Sequence, residues 1–231
     1  MTLAQGVTIK NACNNNPPHE SLAQCFSWLA AVFERPPDTI SIAAYRRGPA
    51  AVWLKALAAQ PLYLAGVGLM QKALGEPQSD HALAESLGAA HALLFAGLGG
   101  PKTVSPYESA YCSAGRLFQE PVSHMEELLF RHGLAVSADC AEAADHLSIE
   151  LALLAYLVAG NDPDAEVVAL RLSDWAPRFR ALCSNQDQTG FWAGAATVLC
   201  AALEIGTSAQ NNYTAKIHLS GGGFNDHNFQ T

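Results

Sequence analysis

The stretch AEAADHLSIELALLAYLVAG, residues 141–160, decides how the chain is read. Its first half sets Glu142, Asp145, His146 and Glu150 close together, and its second half is almost wholly apolar. An apolar run of this length, without charge, points to a buried helix. Four ionisable groups at its mouth fit a catalytic dyad, a metal site, a helix cap or a surface that binds another polypeptide. As a cap, Asp139 and Glu142 have the spacing of a capping box, and Asp145 is an alternative N-cap. Capping accounts for one or two of the four groups. Positions 142, 146 and 150 are also spaced i, i+4, i+8, which predicts a polar stripe on one helix face. A polar stripe on a buried helix has to face a cavity, a partner or other polar groups.

The rest of the chain supplies the company this helix keeps. ESLAQCFSWLAAVFERPP has apolar residues at helical spacing and is stopped by Pro36 and Pro37. DTISIAAYRRG starts at an N-cap, Asp38, and ends in Arg46, Arg47 and Gly48. PAAVWLKALAAQP is bounded by Pro49 and Pro61. LYLAGVGLMQKALG reads as an irregular helix weakened by Gly66, Gly68 and Gly75. Further helices start at Asp80 and near Pro121. Two are expected on either side of Pro177, and FWAGAATVLCAAL is a central buried one. PKTVSPYESAYCSAG is a loop. No segment alternates with period two. The expectation is an all-α fold, one compact bundle of about nine helices with a hinge near residues 139–146. Residues 1–19 read as a flexible arm and 207–231 as a flexible polar tail. The body, 20–206, divides into subdomains of about 20–135 and 142–206.

Composition narrows the function. The chain has 231 residues, half of them apolar, and a formal net charge of -8. That charge disfavours nucleic acid and anionic membrane and favours cationic partners. The six cysteines form no C-x-x-C unit and read as buried thiols in a reducing compartment. There is no signal-peptide pattern at the start, and the apolar runs are too short to span a bilayer. A cytoplasmic location and no stable membrane insertion are expected.

Site chemistry is less decided. Glu142 and His146 at i, i+4 suit a metal, yet no second Glu-x-x-His unit accompanies them, and His81, His91, His124 and His132 have no matching carboxylate pattern. Asp145 or Glu142 orienting His146, with Ser105, Ser109 or Cys112 as nucleophile, has the parts of an enzyme but no G-x-S-x-G elbow. GLGG at 97–100 is a helix end, and YRRG at 45–48 lies too far into the chain for an export signal.

Three pieces taken in order carry a family resemblance. They are SPYESAY (105–111) after LLFAGLGG, EAADHLSIELALLAYL (142–157), and TGFWAGAATVLCAAL (189–203). The set resembles the TorD/DmsD type of redox-enzyme maturation chaperone, nearer the trimethylamine N-oxide reductase chaperone branch, over roughly residues 20–205. The second piece departs from that family's E-P-x-D-H-L hinge at Ala143, which suggests a helix starting earlier, near Cys140. The resemblance implies a cytoplasmic, all-helical chaperone without enzymatic activity or a cofactor of its own. Its implied partners are the apo catalytic subunit of a molybdenum-cofactor oxidoreductase and that enzyme's twin-arginine signal peptide. A monomer or a domain-swapped homodimer is implied. The implied client site is Glu142, Asp145, His146 and Glu150, with Ser105, Pro106, Tyr107 and Tyr111 beside them. Tyr107, Tyr111 and Trp192 are the aromatic groups expected to line an apolar groove and stack on guanidinium. The alternative is a small-molecule or metal-dependent enzyme using Glu142, Asp145 and His146.

Overall fold

Helix signals along the chain are resolved in space by a computed structural model, which describes residues 18–112 and 120–220, with side chains over 21–112 and 120–206. The helices are α1 (Pro18–Glu34), α2 (Thr39–Arg47), α3 (Pro49–Ala58), α4 (Pro61–Leu74), α5 (Asp80–Phe95), α6 (Glu120–Arg131), α7 (Leu147–Ala159), α8 (Asp164–Gln186) and α9 (Phe191–Ser220). Two 3₁₀ turns, Gly100–Lys102 and Glu108–Ala110, sit in the loop between α5 and α6. Among the described residues there is no sheet, only an isolated antiparallel bridge between Tyr107 and His146. The all-α expectation holds.

The long helices set the architecture. α1 packs along α7, α4 along α9, and α8 along α9. One apolar cluster runs from Leu22 in α1 to Leu203 in α9, so both halves of the body share a core. Its centre is aromatic: Phe33 meets Phe179 edge-on at 5.5 Å, and Phe95 meets Trp192 edge-on at 5.5 Å. Such pairs add about 0.5–1.5 kcal/mol each beyond area burial.

Four details differ from the sequence reading. α4 is continuous, and Gly66 is the reason it can cross α9. A Cβ on Gly66 would lie 2.7 Å from the Gly194 carbonyl oxygen, and one on Gly194 would lie 2.6 Å from that of Gly66. Secondly, α8 is one helix with Pro177 inside it. Pro177 sits on the exposed side while Leu172, Trp175, Ala176 and Phe179 are buried. Their burial on one face outweighs the ~3 kcal/mol that an interior proline costs. Thirdly, Arg46 serves α4 rather than its own helix. Its guanidinium donates to the carbonyls of Leu74, Glu76 and Gln78, each at 2.7 Å, and to Asp80. It thereby satisfies carbonyls that the end of α4 leaves open. Finally, α9 continues to Ser220, into the segment from 207 that was expected to be a tail. The arm at 1–17 and residues 221–231 lie outside the described residues.

The described cysteines, Cys25, Cys112, Cys140, Cys183 and Cys200, are free thiols. Burial pushes the Cys25 thiol up to about 12, which makes it a small apolar side chain rather than a nucleophile. No helix among the described residues is long and apolar enough to cross a membrane.

Candidate functional site

The segment between α6 and α7 and the loop before α6 lie side by side. Leu147 N–H donates to the Pro106 carbonyl at 2.8 Å, and Glu108 N–H donates to the Asp145 carbonyl at 3.1 Å. These two bonds join residues 105–109 to 145–147 and create the Tyr107–His146 bridge. The structure therefore brings together all eight residues expected at the client site, in one polar seam at the start of α7.

Their accessibilities separate them. Glu142 is exposed, Ser105, Tyr107 and Tyr111 are half-buried, and Pro106, Asp145, His146 and Glu150 are buried. Asp145 is 0% exposed, and its Oδ2 accepts from the Ser109 N–H at 3.1 Å. His146 is the N-cap of α7: its Nδ1 accepts from Ser148 N–H at 3.2 Å and meets Ser148 Oγ at 2.7 Å. Accepting at Nδ1 leaves the ring proton of neutral imidazole on Nε2. Burial lowers the His146 pKa, against the charges of Glu142 and Asp145.

The expected stripe at 142, 146 and 150 is not formed. The helix starts at Leu147, and residues 143–146 make a turn closed by His146 N–H on the Ala143 carbonyl at 3.0 Å. Ala143 therefore does not extend α7 toward Cys140. The turn is held by cross-loop bonds that a change of residue type at 143 does not remove. Nor do Asp139, Glu142 or Asp145 cap α7. Asp145 is committed to the neighbouring loop, and Glu142 accepts a hydrogen bond from the Tyr107 hydroxyl. Burial first, then this carboxylate, raise the Tyr107 pKa, so the phenol stays protonated as donor.

Tyr111 stacks on Trp175 at 5.0 Å, with the Arg178 guanidinium 5.5 Å from its ring centre. Its hydroxyl donates to the Ser105 carbonyl at 2.7 Å, and its own carbonyl accepts from Arg178 Nη1 at 2.6 Å. Trp192 lines no groove. It is fully buried among Phe33, His91, Phe95 and Phe191.

Two members of the seam escape sequence reasoning altogether. Glu108 is buried and ion-paired with Arg171 of α8. They stand 63 residues apart, so no local spacing announces the pair. Beneath them Glu150 is 1% exposed, and neither of its carboxyl oxygens has a hydrogen-bond partner. Burial, then the Glu108 charge, push its carboxyl well above the usual carboxylate range. The Trp175 indole N–H faces it without reaching hydrogen-bond geometry. His91 is the third omission. It lies near enough to Glu142 and His146 for their charges to act on it, and burial holds its pKa down.

His132, judged to lack a carboxylate pattern, follows the last residue of α6 and meets Asp164, the first of α8, at 3.0 Å and Asp162 just before it at 3.7 Å. These are the ligand atoms that come together at metal-binding distances among the described residues. Arg131 already pairs with Asp164 at 2.9 Å, which supplies the compensating cation. At the seam, Asp145 Oδ2 accepts from the Ser109 N–H and His146 Nδ1 meets the Ser148 hydroxyl, contacts that shape the loop and the first turn of α7.

Comparison with known proteins places the chain in a family. Residues 60–181 match the family model described as nitrate reductase delta subunit. The chaperone protein TorD of Aliivibrio salmonicida is 28% identical over 205 residues, covering 82% of this chain and 94% of that one. TorD of Salmonella paratyphi B is 30% identical over 195 residues, covering 80% and 90%. The crystal structure of a candidate redox enzyme maturation protein from Archaeoglobus fulgidus superposes with a TM-score of 0.51 at 21% identity, over 84% of this chain and 99% of that one. That last likeness is one of fold. With a family model spanning more than half its length and TorD relatives matched almost end to end, this chain belongs to the TorD family of redox-enzyme maturation chaperones.

Proposed function

We propose that the protein is a system-specific chaperone, without turnover of its own, for a molybdenum-cofactor oxidoreductase of the trimethylamine N-oxide or dimethyl sulfoxide reductase type. It works in the cytoplasm, holds the apo catalytic subunit competent for cofactor insertion, and engages that subunit's twin-arginine signal peptide before export. The observation that carries this reading is the near end-to-end match to TorD chaperones. The seam supports the location of the client site. It places an exposed carboxylate, Glu142, beside a half-buried phenol, Tyr107, on a loop whose shape is set from below by Asp145 and His146. A cationic peptide meets charge and ring edge there, while the overall charge of -8 favours its approach.

In this reading the eight residues divide by role. Glu142 and Tyr107 touch the client. Asp145, His146, Pro106 and Ser105 position the loop, Tyr111 anchors it on Trp175, and Glu150 lies beneath. Calorimetric titration of the purified chain with the client's signal peptide tests the reading. Glu142→Gln with Tyr107→Phe should weaken binding about tenfold while leaving thermal stability near the parent's, since surface changes of this kind cost within about 0.5 kcal/mol. Unchanged affinity in that double variant refutes the site, and no affinity in the parent refutes the client.

A further inference from the structure

α4 is apolar on both its faces. Gly66, Val67 and Met70 are buried on the side where the helix packs along α9. The outer side is exposed, yet it carries Leu62, Leu64, Ala65, Gly68 and Leu69, with the three leucines 53%, 58% and 42% exposed. A surface helix ordinarily turns charged and polar groups to water, and a helix apolar all round is one that something covers. α3, packed beside it, adds Val52 at 49% exposed. Single exposed leucines are ordinary, whereas a set gathered on one helix face and its packed neighbour marks an interaction site.

The charge of this face is also out of character. Between Asp38 and Glu76 the chain has no acidic residue, its longest such run, although it carries 21 acids in all. Four cations fall within the run. Arg46 and Arg47 are committed to Asp80. Lys55 and Lys72 are exposed and take part in no ion pair among the described residues. Lys55 stands one turn after Val52 and Lys72 one turn after Leu69, so both edge the apolar face.

Gly68 adds a third observation. A Cβ there would meet no atom within 4 Å, and its φ is not positive, so the fold has no need of glycine at this position. Glycine inside a helix lowers stability. What the missing side chain does provide is room for an outside backbone to come close.

An amphipathic helix with carboxylates along its flanks matches all three features. Its apolar stripe meets the leucines, its acids meet the two lysines, and its axis lies close over Gly68. An anionic membrane matches less well. Two lysines are fewer than the about four to eight that hold a basic segment on acidic lipid, and the remainder of a chain at -8 is repelled by it.

We propose that the outward face of α3 and α4, formed by Val52, Leu62, Leu64 and Leu69 and edged by Lys55 and Lys72, is a docking surface for an acid-flanked amphipathic helix of another protein. α3 and α4 pack on α2 and α9, while the seam lies between the 105–111 loop and α7, so this surface does not rest on the client-site reading.

The test titrates the full chain with two designed amphipathic helical peptides, identical along a leucine face and carrying either glutamates or lysines at its flanks. The glutamate peptide should bind about tenfold or more tighter, although the net charge of -8 by itself favours the lysine peptide. Lys55→Glu with Lys72→Glu should reverse that order. Gly68→Glu should cut glutamate-peptide affinity about tenfold or more, because it sets bulk and like charge in the path of the incoming helix. The same change should raise the melting temperature by about 2–4 °C, which separates a lost surface from a damaged fold. Equal affinity for the two peptides, tighter binding of the lysine peptide, or no binding of either overturns the proposal, and these readouts need no variant. Glutamate-peptide binding that Gly68→Glu leaves unchanged overturns it as well. So does another occupant: self-association in sedimentation that Gly68→Glu abolishes identifies a second copy, and binding to phosphatidylglycerol vesicles that the double charge reversal abolishes identifies lipid. Gly68→Glu should bind the client's signal peptide as the parent does, so failure at the seam and failure at this face are told apart.

Discussion

Two buried regions of this molecule are built on opposite terms. Where α4 crosses α9, Gly66 and Gly194 bring backbone against backbone, and Met70 and Val198 close the space around them. At the seam before α7, the buried groups are carboxyls, an imidazole and a guanidinium, several of them with unmet hydrogen-bonding capacity. The first region is satisfied by packing and leaves nothing for a visitor. The second retains unpaired acceptors under a loop, at a cost the fold has to carry elsewhere. Where a protein leaves buried polar groups unpaired, it is keeping something available.

The contrast breaks most readily at the crossing. A Cβ at Gly194 would sit 2.6 Å from the Gly66 carbonyl oxygen and 2.7 Å from Met70 Cγ. Backbone cannot give way as a flexible side chain does. Gly194→Val should therefore cost about 3 kcal/mol or more, in the upper range of overpacking. Thermal denaturation should show a drop of roughly 6–12 °C for a domain of this size.

At the seam, Asp145→Ala strands the Ser109 N–H in the interior. The expected loss is about 1–3 kcal/mol, the cost of an unsatisfied buried donor. Client-peptide binding should fall with it, because the loop at 105–109 loses its register on 145–147. The Gly194→Val protein, examined below its own melting temperature, should bind the peptide as the parent does. If instead both variants lose binding in proportion to stability, the two regions are not separate.

Legibility in the sequence follows the same divide. Helix existence was readable nearly everywhere, because apolar spacing reports which face is buried. α7 was plain from LALLAYLVAG, and Asp38 was plain as a cap, its carboxylate accepting from Ser41 N–H at 2.7 Å. Gly66 looked like a weakness in α4 because propensity scales describe an isolated helix and know nothing of α9. Pro177 looked like a break for the same reason. The seam was located by the ordered motifs, which put SPYESAY and EAADHL in one place. Their internal arrangement was not readable. His146 is an uncommon cap, Glu108 and Arg171 are far apart in sequence, and the i, i+4, i+8 stripe presumed a helix through residues that form a turn. Patterning reports periodic structure; it cannot report which irregular segment lies against which.

The pH dependence of stability sharpens the comparison further. The Glu150 pKa is raised above its ordinary 4.5 by burial, then by Glu108. A raised folded pKa means the native state binds the proton more tightly. The stabilising contribution is complete below the ordinary value and is lost as pH rises through the raised one. His146 works the other way. Burial lowers its pKa, so its contribution is present above its ordinary 6.5 and is lost as pH falls through the lowered value. Glu150→Gln should flatten the loss of melting temperature on the rising side and leave the acidic limb as it was. A rising-side slope identical to the parent's would mean that Glu150 does not hold its proton.

The smallest expected effect is at Ala143. The turn 143–146 is closed through the Ala143 carbonyl, and the Ala143 N–H has no acceptor among the described residues. A proline there removes no donor that the turn uses, and it restricts the unfolded chain. Ala143→Pro should raise stability by about 0.4–1 kcal/mol, the usual gain where proline matches the native backbone. It should leave the start of α7 at Leu147, because His146 caps that helix and the Pro106 carbonyl holds Leu147 N–H whatever residue stands at 143. Chemical denaturation resolves a change of this size if the slope is unchanged. A loss instead of a gain would show that the turn relies on a φ that proline does not adopt. The bend before α7 would then be a tuned feature of the seam, on a par with the carboxyls it covers, rather than a passive link between two packed halves.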